Sequence, residues 1–62
     1  MKVKTLLKTL RNTEYVLQSE SGWTKEEGYV GNEYYDDSAF EDSKVLTITT
    51  VCDCSTLFIT IK

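Results

Sequence analysis

The residues best suited to chemistry in this sequence are two closely spaced cysteines, Cys52 and Cys54, and three pairs of adjacent acids. The acid pairs are Glu26–Glu27, Asp36–Asp37 and Glu41–Asp42. Paired carboxylates perform general acid–base catalysis when burial raises the pKa of one of them. Because charged residues in polar segments are mostly exposed, we interpret the three pairs as solvated surface.

The two cysteines allow three interpretations. Two copies of the chain could together supply the four thiolates of a closed zinc site. A disulfide across the single residue Asp53 would be strained and readily reduced. Both cysteines could instead remain reduced thiols beside a turn, as the cytosol favours, and we prefer this third interpretation. We therefore predict no bound metal and no cofactor.

The absence of histidine excludes several further kinds of site. Without histidine, the chain lacks the commonest general base, the commonest metal ligand and the usual partner of a serine or cysteine nucleophile. Gly22, Gly28 and Gly31 do not have the strand-to-helix setting of a phosphate-binding loop. The acids lack the alternating spacing and central glycine of a calcium loop. We predict no catalytic residue and no enzymatic activity.

Aromatic residues in the acid-rich segment 23–43 are the better indication of function. Tyrosine and tryptophan are enriched at protein interfaces, and nearby acids favour a basic partner. Alternatively, Tyr29, Tyr34 and Phe40 close the small core. We expect Trp23 to be the most exposed of the aromatic residues, followed by Tyr35. The predicted protein-binding residues are Trp23, Tyr34, Tyr35, Asp36, Asp37, Glu41 and Asp42.

The C-terminal residues 44–62 carry the strongest pattern of secondary structure. Two β-branched runs alternate in polarity around a short polar link, which is typical of a β-hairpin. A turn at Asp53 and Cys54, or over residues 52–55, gives one aliphatic face and one threonine-rich face, the latter meeting water or another chain. The predicted aliphatic pairs are Leu46 with Ile61, Ile48 with Ile59 and Thr50 with Leu57.

The remaining elements are predicted from periodicity. An apolar stripe of Val3, Leu6, Leu7 and Leu10 predicts a helix over residues 2–11. Residues 14–20 are predicted to form a strand and 19–22 a turn. Residues 28–31 are predicted to form a short strand, which could extend through Tyr34 and Tyr35, and 36–42 form either one helical turn or a loop. The sequence thus predicts a single α+β domain over residues 1–62. In it, the N-terminal helix packs on a three- or four-stranded antiparallel sheet that ends in the C-terminal hairpin.

The charge is distributed unevenly. The first eleven residues hold four basic residues and no acid, whereas residues 12–62 hold all ten acids against three lysines. This balance argues against nucleic acid as a direct partner, because phosphate binding needs clustered basic residues. An acidic body suits either solubility or docking on a basic surface of another protein. No apolar run approaches the ~20 residues that span a bilayer, and no secretory signal is recognisable, so we expect a cytoplasmic protein without membrane contact.

The segment Val3–Leu10, one short strand, an acidic tyrosine-rich middle and a closing hairpin together resemble small bacteriophage-encoded proteins of unassigned function. Some small acidic phage proteins, such as anti-CRISPR proteins, inhibit host defence nucleases. The resemblance implies a protein that occupies a basic nucleic-acid groove or blocks a conformational change. We hypothesise a non-catalytic inhibitor or regulator that docks on a host protein through residues 23–42.

Two other functions are also consistent with the sequence. The alternative is a self-associating module that forms a homodimer through the threonine-rich face or an edge strand, since small chains gain stability from added buried area. The third is a redox protein or enzyme that uses Cys52 and Cys54.

Overall fold

A computed structural model describes residues 1–35, 38–50 and 56–62. These parts of the chain form a short helix, α1, and a sheet with strand order β2-β1-β4-β3. Strands β1 and β2 pair antiparallel, as do β3 and β4, whereas β1 and β4 run parallel. The bounds are α1 Val3–Leu7, β1 Thr13–Gln18, β2 Thr24–Val30, β3 Val45–Thr50 and β4 Thr56–Ile61.

The predicted α+β fold, with an N-terminal helix on an antiparallel sheet, is wrong. The chain is a mostly-β domain whose sheet is mixed and whose helical part is five residues long. The parallel pairing of β1 and β4 is accompanied by a crossover between β2 and β3. These two strands lie on opposite edges of the sheet, so the segment 31–44 must pass from one edge to the other. β4 then enters the middle of the sheet beside β1, parallel to it.

The helix ends four residues before the predicted end, because the backbone after Leu7 forms a turn that is tighter than an α-helix. The backbone N–H and the side-chain hydroxyl of Thr9 both donate to the Leu6 carbonyl, at 2.9 and 2.7 Å. Such side-chain bonds to nearby backbone compete with a regular helix. Asn12 then adopts a positive φ of 51°, which turns the chain into β1. No helix among the described residues is long and apolar enough to cross a membrane.

The first turn of α1 is capped by another part of the chain. Lys2, at the N-cap position, makes no capping hydrogen bond with its side chain. Instead, the N–H groups of Val3 and Lys4 donate to the carbonyls of Ser43 and Glu41, each at 2.9 Å. The end of the crossover segment thereby satisfies two of the donors that a helix N-terminus leaves unpaired.

The core lies on one face of the sheet, under α1 and the crossover segment. Its buried residues are Val3, Leu6, Leu7, Tyr15, Leu17, Val30, Ile59 and Ile61. Leu10, Tyr34 and Phe40 pack against it, half-buried. The apolar stripe was thus correctly predicted to face the core although its helix is short, and Tyr34 and Phe40 pack as the core alternative predicts. Tyr29 does not, since 61% of its surface is exposed.

The C-terminal hairpin is confirmed with one change of register. Ile48 pairs with Ile59 and Thr50 with Leu57, as predicted. A bulge between Val45 and Thr47 shifts the next pair, so that Val45, and not Leu46, lies opposite Ile61. The extra residue of a β-bulge re-aims the side chains on one side of it. Val45 therefore packs on the core, whereas Leu46 is exposed.

Candidate functional site

The sheet face opposite the core forms a surface that we call the open face. Strand side chains alternate between the two faces, so every second residue of each strand points here. None of these residues is buried. The hydroxyl of Thr56 donates to Glu14 at 3.2 Å and the Gln18 amide donates to Thr60 at 3.2 Å, which links β1 to β4 across this face. The open face comprises Glu14, Val16, Gln18, Glu27, Tyr29, Thr47, Thr49, Thr56, Phe58 and Thr60.

The centre of the open face is apolar. Val16 of β1 lies beside Phe58 of β4 in the parallel register, and both are half-buried. Glu27 continues this row on the β2 side, and Thr49 continues it on the β3 side. An apolar pair ringed by polar groups is the usual composition of a protein-binding patch, with an apolar centre and a polar rim.

A shallow groove of about 590 Å³ runs over β2, β1 and β4 on this side of the molecule. Val16 and Phe58 contribute its apolar surface, and Glu14 and Glu27 contribute two carboxylates. The exposed ring of Tyr29 lies directly across from Glu14 in the β1–β2 register. The groove is lined by Glu14, Tyr15, Val16, Thr24, Glu27, Gly28, Tyr29, Thr56 and Phe58.

The groove carries negative charge that the described residues leave without a cationic partner. Glu14 accepts its hydrogen bond from a neutral hydroxyl, that of Thr56. Within the described ranges, the ion pair found joins Lys2 and Asp42 at 3.6 Å, beside α1. Glu14 and Glu27 are both exposed, so their charges face solvent together with the Tyr29 ring. The arrangement can attract a cationic group of a partner.

The core face fixes β2 in the register that presents these groups. Tyr15 lies directly opposite Gly28, where a side chain on the glycine would overlap the tyrosine ring, with a Cβ only 2.8 Å from Cε1. The ring of an aromatic residue thus covers the glycine of the neighbouring strand, a known way to pin strand register. Because Gly28 faces the core side, Glu27 and Tyr29 on either side of it face the groove.

Glu26 ties the crossover segment to the sheet. Its carboxylate accepts hydrogen bonds from the Ser38 hydroxyl at 2.6 Å, the Tyr15 hydroxyl at 3.3 Å and the Ala39 N–H at 3.3 Å. Glu26 is half-buried and Ser38 is buried, so the interpretation of Glu26–Glu27 as solvated surface is wrong for Glu26. The two adjacent acids have separate roles because strand alternation sends them to opposite faces.

The two aromatic residues predicted to be most exposed are indeed exposed. Trp23 is 76% exposed and directly precedes β2. Tyr35 is 71% exposed and follows the end of β2 by five residues. They belong to separate segments of the chain, and neither lies within the strands of the open face.

The other predicted binding residues are also dispersed. Tyr34 is half-buried against the core. Glu41 and Asp42 lie beside the N-terminus of α1, where the backbone carbonyl of Glu41 accepts from the Lys4 N–H and the Asp42 carboxylate pairs with Lys2. The predictions for Asp36 and Asp37, for Cys52 and Cys54 and for the hairpin turn lie outside the described residues.

Sequence reasoning missed the residues that form the groove. Glu14, Val16, Glu27 and Phe58 come from three separate segments, and the sheet order alone brings them together. One signal was present, because Phe58 falls on the threonine-rich side of the predicted hairpin, where an aromatic residue is out of place in a solvated face.

No protein-family model, curated protein or solved structure matches the chain. Among the residues that the structure describes, no cluster of three or more histidine, cysteine, aspartate or glutamate residues could hold a metal ion. The function of the open face is therefore inferred from its own geometry and charge.

Proposed function

We propose that this protein is a binding module that docks on a basic segment of another protein through the open face. The observation that carries the proposal is the groove, in which Glu14 and Glu27 flank the apolar pair Val16 and Phe58. A small domain gains area for its core by packing elements on a sheet face, yet the described residues leave this face uncovered.

The chemistry of the groove favours a partner that presents arginine or lysine. The aliphatic stem of such a side chain can lie on Val16 and Phe58 while its charged end meets a carboxylate. Arginine can in addition stack on the exposed ring of Tyr29. Its planar guanidinium matches a carboxylate with two parallel hydrogen bonds, so arginine should bind better than lysine.

The wider charge distribution supports the same partner. The chain has a formal net charge of −3, and residues 12–62 carry ten acids against three lysines. Trp23 and Tyr35 are both exposed and available to a partner larger than one peptide segment. Oppositely charged surfaces of this kind raise association rates and make binding sensitive to salt.

A basic surface that binds nucleic acid is the clearest target for this chemistry. By covering such a surface, an acidic module inhibits a nucleic-acid-binding protein without catalysing any reaction. The phage-type inhibitor implied by the sequence resemblance is one form of this function, acting in the cytoplasm of the host. We propose it as the biological setting.

The proposal is tested by affinity capture with matched charge variants. The tagged protein, the double variant Glu14→Gln/Glu27→Gln and the control Glu20→Gln/Glu33→Gln are incubated with bacterial lysate at low and high salt. Both variants lose two negative charges, but Glu20 and Glu33 lie outside the open face. Retained proteins are identified by mass spectrometry, and the affinity of each is then measured with the three purified proteins.

We expect a basic protein that is retained at low salt, is released at high salt and binds the open-face variant about tenfold more weakly, which corresponds to ~1.4 kcal/mol. The control variant should bind like the unmodified chain. Equal loss of affinity in both variants would show unspecific charge attraction and contradict a site at the groove.

A further inference from the structure

The free edge of β3 is the second surface that the described residues leave without a partner. β3 lies at one edge of the sheet, with β4 on its inner side. On its outer side the N-terminal residues pair only with the beginning of the strand, where Lys2 bridges Lys44 and the Val45 N–H donates to the Met1 carbonyl at 2.8 Å. From Leu46 to Thr50, no neighbouring strand covers this side in the described parts of the chain.

The composition of this edge is suited to pairing. Residues 45–50 read Val-Leu-Thr-Ile-Thr-Thr, without a charge, a proline or a glycine. Leu46 and Ile48 are 36% and 45% exposed although both are large and apolar. Proteins usually protect edge strands with charges or proline, because open edges pair with other strands.

The opposite edge of the sheet is protected in this way. β2 carries Lys25, Glu26 and Glu27 in succession, and a second strand of the same sequence would place like charges close together. On the core face, the Glu26 carboxylate is in addition held by Ser38 and Ala39 of the crossover segment. Of the two edge strands, only β3 has no charged side chain.

We propose that β3 pairs antiparallel with β3 of a second copy of this chain, about a two-fold axis close to Ile48. In this arrangement Ile48 meets Ile48 of the other copy, and Thr47 lies opposite Thr49. No like charges oppose one another, because the edge has none. A second copy is the favoured occupant because its edge has the same composition, whereas a charged strand would leave its charges beside Ile48 and Leu46.

The symmetry also determines what the dimer presents. An axis perpendicular to the sheet keeps the two core faces on one side and the two open faces on the other. The two four-stranded sheets join into one of eight strands. The Ile48 side chains, which share the face of the core residue Ile59, cover each other on the core side. A five-residue edge buries less than the ~1,200 Å² of a typical specific interface, so we expect a weak, concentration-dependent dimer.

Sedimentation velocity over a range of concentrations, up to the millimolar range, tests this inference. The unmodified chain is compared with Ile48→Lys and Ile48→Glu, and with Thr24→Lys as a control that adds a charge at the other edge. Circular dichroism checks that each variant is folded. We expect a monomer–dimer equilibrium for the unmodified chain and for the control, and monomers for each Ile48 variant alone.

The decisive sample is an equimolar mixture of the two Ile48 variants. If Ile48 lies at the two-fold axis, lysine of one copy meets glutamate of the other and the dimer returns. A monomeric unmodified chain at the highest concentration would overturn the inference. So would a dimer that survives in the Ile48→Lys variant, or a mixture of the two folded variants that stays monomeric. Because none of these samples contains a binding partner, failure here leaves the function proposed for the groove untouched.

Discussion

Gly28→Ala is predicted to destabilise the protein because of a single neighbour, the Tyr15 ring. In most strand interiors, alanine is more stable than glycine by about 0.5–1 kcal/mol, because glycine loses more backbone freedom on folding. The φ of Gly28 is not positive, so the backbone itself accepts alanine. The added Cβ, however, would lie 2.8 Å from Cε1 of Tyr15, closer than carbon atoms approach in proteins.

The size of the effect follows from these two opposing contributions. Overpacking a buried site costs about 1–3 kcal/mol. Replacing glycine by alanine stabilises a strand by about 0.5–1 kcal/mol, because alanine loses less backbone freedom on folding. Gly28→Ala should therefore lower the free energy of unfolding by ~1 kcal/mol, and by no more than ~2.5 kcal/mol. Domains of this size change Tm by about 4–8 °C per kcal/mol, so thermal unfolding resolves the loss.

In the Tyr15→Leu variant, the effect of Gly28→Ala on the free energy of unfolding should have the opposite sign. Without the ring and its hydroxyl, the space beside residue 28 is free, and Gly28→Ala should then stabilise the variant by up to ~1 kcal/mol. Gly31→Ala is the matched control, because its Cβ would make an ordinary contact at 3.7 Å with the Tyr29 ring. Urea unfolding followed by far-ultraviolet circular dichroism gives all the values. An equal loss in both Tyr15 backgrounds would refute the contact as the cause.

Three further predictions follow from the two faces of the sheet and one turn, each measured by urea unfolding. Glu26→Ala should lower the free energy of unfolding by about 2–3 kcal/mol, because it leaves the buried Ser38 hydroxyl without its acceptor. Glu27→Ala should lower it by less than ~0.5 kcal/mol. Similar losses would contradict the placement of the two acids on opposite faces of the sheet. Ile59→Ala should cost about 2–5 kcal/mol, since Ile59 is fully buried; a loss below ~1 kcal/mol would argue against its place in the core. Asn12→Ala should cost ~1 kcal/mol because of the positive φ, and Asn12→Gly should cost less; the reverse order would contradict that backbone conformation.

Local patterns in the sequence were sufficient for the parts of the fold that depend on neighbouring residues. Alternation of polarity predicted the hairpin pairs of Ile48 with Ile59 and Thr50 with Leu57. It could not reveal the bulge after Val45, because an extra residue changes the register without changing the composition of the strand. The beginning of β2 was missed because Lys25 and its acidic neighbours are poor strand formers.

The parallel pairing of β1 and β4 lay beyond local reasoning. Leu17 and Ile59 are 42 positions apart in the sequence, and nothing between them specifies that their strands are neighbours. The proposed binding surface depends on this pairing, since it brings Val16 beside Phe58. Exposure was easier to predict. Trp23 stands beside a turn glycine and Tyr35 beside acids, and both are exposed.

An NMR titration tests the groove of the open face most directly. The ¹⁵N-labelled protein is titrated with an arginine-rich peptide and with a peptide in which citrulline replaces each arginine. We expect shifts concentrated at Glu14, Val16, Glu27, Tyr29 and Phe58, reduced by salt, by citrulline and by Glu14→Gln/Glu27→Gln. Shifts that instead centre on Glu41 and Asp42, or that are as large with the citrulline peptide, would contradict a cation-binding groove on the open face.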